Sequence, residues 1–327
     1  MRSLLLACLI LPALGACAAA PRAPATTLAA AGIKATGTLS AEVQDVAQQL
    51  QTADAADAFS RTWELCTNAP VACAPSLPPM ELSQRRNALA DVVALRARAI
   101  DQLGAAYAAL QTEAASDGSA DLQGAGAAAI ASANSFAAAA ASLRGKGTPE
   151  TVPGTIASLV DFGFGALGEH LQRRRILKGS REVAGAVLQV RNGLRDEAFI
   201  FDSLADYLVA KQTSARLAMF DAGLISGDAT LNALAAQLGV TLVGGYDSII
   251  ANPGAARTAL RATMEVNARQ DVIAAQGRYR DAIAALDALL REHADLERKR
   301  SVSVVDVERL LDRLNASLDK PAANQGN

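Results

Sequence analysis

The chain has 327 residues and a formal net charge of −2; 51% of its residues are hydrophobic, yet only 4% are aromatic. That balance supplies neither the basic stripe nor the stacking aromatics of a nucleic-acid interface, so no nucleic-acid partner is expected. The apolar content is mostly alanine and leucine, the best helix formers, and it predicts an all-α protein with enough chain for a substantial core.

The chain opens Met1-Arg2-Ser3 and continues without a charge from Leu4 to Leu14, a basic start and an apolar run too short to span a bilayer. This is the pattern of a secretory signal. It closes in Leu14-Gly15-Ala16-Cys17, an aliphatic residue three before a cysteine with two small residues between. That tetrapeptide resembles the lipobox of bacterial lipoproteins, and the resemblance covers residues 1–17 only. It implies cleavage before Cys17 and a triacylated terminus there, so that the membrane is a partner through the N-terminal lipid. Ala18 in place of aspartate implies the outer membrane, with the protein facing the periplasm. The competing reading is an ordinary signal cut near Ala18–Ala20, with Cys17 discarded. Each buried methylene contributes about 0.8 kcal/mol, so two or three acyl chains form an anchor that does not readily leave.

Residues 17–39 are rich in Ala, Pro, Thr and Gly with few large apolar side chains. The expectation is a flexible linker, unable to offset its ordering entropy by burial and able to reach roughly 65–70 Å when extended. A helical domain is then expected over residues 40–320. Ser40 caps its first helix, and Val43, Val46, Leu50, Phe59 and Trp63 fall roughly on one face. Cys66 and Cys73 follow, in a loop before a Pro-rich break; in an oxidising periplasm the pair reads as a disulfide. A metal site is not expected there, since the two histidines, His170 and His293, are distant in sequence.

The clearest pattern comes next. Leu89, Val93, Arg96, Ile100, Leu103, Tyr107, Leu110 and Ala114 alternate steps of four and three, a heptad seam with one polar interruption at Arg96. It predicts a helix over 82–115. Leu122 to Leu143 contains no charge, but its Ala, Gly and Ser content favours a tightly packed helix over a membrane span. Pro149 and Pro153 mark a break.

Beyond it, Gly163 to Gly168 matches G-x-G-x-x-G and Asp161-Phe162-Gly163 matches a kinase tripeptide. Neither has the strand or the companion motifs that nucleotide binding requires. Arg173, Arg174, Arg175, Lys178 and Arg181 form the one dense basic cluster, either a solvated helix surface or a patch for an anionic partner. Val183, Val187, Val190, Leu194, Phe201, Leu204 and Leu208 continue a long helix to about Phe220. A short helix is expected over 229–238, and a short β-like run follows it. Another long helix runs from Pro253 to about Arg300, with Tyr279, Ile283, Leu286, Leu290 and His293 on one side. Val304, Val307, Leu311, Leu314 and Leu318 mark a last helix, and residues 321–327 form a polar tail.

No nucleophile elbow, zinc-protease motif, P-loop or Cys/His ligand cluster accompanies these helices, so neither an enzyme site nor a cofactor is expected. The expected architecture is an elongated bundle of long antiparallel helices with coiled-coil-like seams. The expected role is a non-enzymatic, membrane-anchored periplasmic lipoprotein that acts as scaffold or adaptor for another envelope protein. A rival reading has residues 122–171 open as a small-residue hairpin and enter a bilayer. Self-association through the seams is compatible with the same pattern.

Overall fold

The computed structural model of the protein describes residues 21–75, 80–115, 121–147, 166–241 and 253–319. Seven α-helices account for nearly all of them: α1 (Arg22–Asn68), α2 (Met80–Ala115), α3 (Leu122–Leu143), α4 (Ala166–Asp221), α5 (Asp228–Leu238), α6 (Pro253–Glu297) and α7 (Val305–Leu318). A single 3-10 turn, Pro70–Ala72, follows α1. Among the described residues there is no strand, and the all-α bundle is the observed fold. The β-like run over 242–252, the Gly163–Gly165 stretch and the tail lie outside the described residues, as does Cys17.

One continuous core runs through most of the bundle. The α2 seam is buried at all eight predicted positions, Arg96 included. Val183, Val187, Val190, Leu194, Phe201 and Leu208 of α4 and Val307, Leu311 and Leu314 of α7 are buried likewise. Phe59 and Trp63, at the far end of the α1 stripe, are only half-buried.

The linker expectation is corrected by α1, which begins at Arg22 rather than Ser40. Ala25, Leu28, Ala29, Ala35 and Leu39 are fully buried. The physical reason is that small side chains let helix backbones approach, so burial per residue is low but packing is dense. Gly32 is the sharpest case: a Cβ there would sit 2.3 Å from the Tyr107 ring of α2. What read as a segment too small to pack is packed because it is small.

The side-chain pairings also give the direction of each helix. Gly32 meets Tyr107 and Glu42 meets Arg96, so α1 and α2 are antiparallel. Arg181 pairs with Glu297 and Arg191 with Asp287, so α4 and α6 are antiparallel. Gly179 meets Leu122 and Gly193 meets Phe136, however, so α3 and α4 run the same way. Strict up-and-down alternation therefore gives way at one connection. Residues 144–165 are long enough to bring the chain back along α3, which is on the order of 33 Å long. Leu143 and Ala166 consequently lie at opposite ends of α3, which is not how a two-helix hairpin is arranged.

Leu28 supplies the test of the corrected boundary. Leu28→Ala is expected to cost about 2–5 kcal/mol in denaturant unfolding, the range for an aliphatic side chain removed from a packed core. A linker residue would give no change.

Candidate functional site

Four long helices, α1, α2, α4 and α6, enclose a series of polar layers that interrupt the apolar seam. The starting end, here called the amino-terminal pole, holds the beginnings of α1, α3 and α4 and the ends of α2 and α6. Arg22 of α1 donates from Nη2 to Gln172 Oε1 of α4 at 2.5 Å, and Gln172 Nε2 donates to the Glu113 carbonyl of α2 at 3.0 Å.

Further along lies a string of three buried groups. Ser180 Oγ is 2.8 Å from His293 Nδ1, and His293 Nε2 is 2.9 Å from the Tyr107 hydroxyl. Burial pushes the His293 pKa down to about 3 and pushes that of Tyr107 well up, so both groups stay neutral at physiological pH. Ser180, His293 and Tyr107 are 0%, 1% and 0% exposed, leaving no surface for a substrate to reach. His293 is a seam residue of α6, and a base needs contact with the group it deprotonates. The string joins three helices by hydrogen bonds inside the core.

The central layer is built around Arg96. Its Nη1 lies 3.0 Å from Glu42 Oε2 of α1 and 3.4 Å from Glu197 Oε1 of α4. Tyr279 of α6 donates its hydroxyl to the same Glu197 Oε1 at 2.6 Å, and its ring lies 5.3 Å from the guanidinium carbon. All four side chains are fully buried or 1% exposed. Burial pushes Glu42 up to about 7 against the pull of Arg96. Glu197 is raised by the same desolvation. Arg96 loses hydration as well, but the two carboxylates outweigh this and keep it charged. One cation thus faces two carboxylates, one of which holds a proton for much of the time near neutrality.

Toward the far end a third layer centres on Asp57 of α1. Arg61 Nε lies 2.8 Å and Lys211 Nζ 2.7 Å from its Oδ1, and Tyr207 donates to its Oδ2 at 3.0 Å. Burial raises the Asp57 pKa, but these three donors outweigh it and hold the carboxyl below its ordinary range. Beyond this layer Phe220, Leu260 and Met264 form a small separate apolar cluster.

The predicted disulfide is present: Cys66 and Cys73 are bonded across the 3-10 turn that follows α1. The basic cluster lies on the first turns of α4, where Arg174 and Arg181 are exposed and Arg173, Arg175 and Lys178 are half-buried. Arg181 pairs with Glu297 at 3.3 Å, and Lys178 is a distant 3.9 Å from Glu182. Among the described residues no group of three or more His, Cys, Asp or Glu is placed to hold a metal ion. α3 is the one described helix long and apolar enough to cross a membrane. Its Ile130 and Phe136 are nevertheless buried among α2 and α4.

Sequence reading located Arg96, Tyr107, Tyr279 and His293 on their seams. It read Glu42 as an acid near the positive end of a helix capped by Ser40, whereas Glu42 lies mid-helix, and it passed over Asp57, Ser180 and Glu197, which carry no periodic signal as polar residues. Compared with protein-family models, with curated proteins and with solved structures, the chain matches none.

Glu42 makes the central layer sensitive to pH in a definite direction. Its folded pKa of about 7 lies above the ordinary value of 4.5. The folded state therefore binds the proton more tightly, and this group's contribution declines as pH rises from about 4.5 to 7, then levels off. The full span is on the order of 3 kcal/mol. Unfolding of wild type and Glu42→Gln, compared across that window, is expected to show the variant gaining relative stability as pH rises. A constant difference would contradict the assignment.

Proposed function

We propose that the protein is a lipid-anchored, non-enzymatic scaffold or adaptor of the bacterial envelope, attached to the outer membrane through Cys17 and facing the periplasm. The observation that carries this reading is the separation of two ends. α4 runs without a break over 56 residues, on the order of 84 Å. The start of α1 lies at one end. Leu224, Ile225, Leu238, Val240 and Val266, all exposed apolar residues, lie toward the other. Such a rod spans distance and presents an apolar surface where a partner protein would meet it.

The internal polar layers fit a structural role, since each joins helices: the Ser180–His293–Tyr107 string and the Arg96 layer are closed to solvent, and the Asp57 layer reaches it only through the half-buried Arg61 and Lys211. The rival reading, insertion of residues 122–171 into a bilayer, would require Ile130 and Phe136 to leave the core. It would also require α3 to part from α2 and α4, against which it packs.

Intact mass and crosslinking test the proposal together. The envelope-extracted protein is expected to begin at Cys17 with acyl mass added. A photo-crosslinking residue at Leu238 or Val266 is expected to capture a discrete envelope protein that the same residue at Gln51 does not. A chain beginning after Cys17 without lipid, or crosslinks indistinguishable from the Gln51 control, would overturn the reading.

A further inference from the structure

The corrected start of α1 shortens the tether. If Cys17 carries the lipid, as the proposed function holds, only four residues separate the anchor from Arg22, a span of at most about 18 Å whatever their conformation. The amino-terminal pole must then stay within a short distance of the headgroups.

The charges at that pole are unevenly matched. Each acid described there is already engaged. Glu113 is buried, Asp121 accepts from the Gly124 amide at the start of α3, and Glu292 accepts from the Ser303 amide. Glu182, Asp295 and Glu297 face Lys178, Arg300 and Arg181. Arg174 of α4 and Arg298 and Lys299 at the end of α6 are exposed and have no ion pair among the described residues. Both groups lie poleward of the Arg181–Glu297 contact, Arg174 by about two helical turns. A chain with a net charge of −2 therefore carries, at the end where its lipid would attach, three cations without an ion pair among the described residues.

We propose that this pole rests on anionic phospholipid headgroups through Arg174, Arg298 and Lys299, making with the Cys17 lipid a two-point attachment that stands the rod upright. Neither contact suffices alone: the lipid fixes position without orientation, and three cations bind weakly without the lipid. Once the lipid holds them near the surface, attraction within a Debye length favours the upright arrangement by on the order of a hundredfold. The far end, with its apolar residues, is then held away from the bilayer.

The test uses the mature protein in phosphatidylcholine vesicles with and without phosphatidylglycerol, both containing a headgroup-linked fluorescence quencher. In a Trp63→Phe background, Ser301→Trp places an indole at the exposed turn beside Arg300. Its quenching is expected to be several-fold stronger with phosphatidylglycerol and to fall to the neutral-vesicle level in Arg174→Glu/Arg298→Glu/Lys299→Glu. Arg269→Glu, toward the far end, is expected to change nothing. In the wild type, Trp63 is expected to remain unquenched in both vesicles. Quenching of the indole that ignores phosphatidylglycerol or the charge reversals would overturn the proposal, as would strong quenching of Trp63. Intact mass of the same preparation separates the failures. Acylated protein indifferent to lipid charge contradicts the basic pole alone, whereas protein without acyl mass contradicts the anchor and the two-point attachment with it.

Discussion

A guanidinium with no access to water holds four helices at one level. Arg96 is 0% exposed, and removing a cation from water costs several kcal/mol unless opposite charges stand close by. Those charges come from α1 and α4, and a tyrosine from α6 completes the layer. Sliding any one of these helices by a turn would strand a buried charge. An apolar seam of alanine and leucine has no comparable preference, because alanine looks much the same one turn up or down. On one side the Ser180–His293–Tyr107 string adds a match among α2, α4 and α6, and on the other the Asp57 layer adds one between α1 and α4.

How much of this was legible depends on whether the signal is local. The α2 seam was plain because its apolar residues recur over many turns, and Arg96 stood out as its one exception. Its partners were not visible, since Glu42, Glu197 and Tyr279 lie on three other helices and nothing in the sequence states which turn faces which. The disulfide could be read from two cysteines close in sequence, the only two left once the signal is removed and Cys17 is committed to lipid. Residues 22–39 misled because a scarcity of large apolar side chains was equated with a scarcity of packing. Gly32 beneath the Tyr107 ring shows why that inference fails in an alanine-rich bundle. The parallel course of α3 and α4 was hidden for a related reason: a Pro-rich break signals a helix end, but says nothing of where the chain goes next.

The same features bear on the proposed role. A rod whose helices cannot shift in register keeps its two ends at a fixed separation, which is what a scaffold tied to a membrane at one end requires. On the proposed anchoring at Cys17, the short interval to Arg22 would hold the amino-terminal pole near the membrane, and the cations at that pole would supply the orientation.

The central claim is that the Arg96 layer sets the register, and equilibrium unfolding of Arg96→Met tests it most directly. Loss of the cation alone leaves two carboxylates buried together and is expected to cost about 3–5 kcal/mol. Adding Glu42→Gln and Glu197→Gln is expected to recover much of that loss. Stability of Arg96→Met within about 0.5 kcal/mol of wild type, the range of an ordinary surface substitution, would contradict the account.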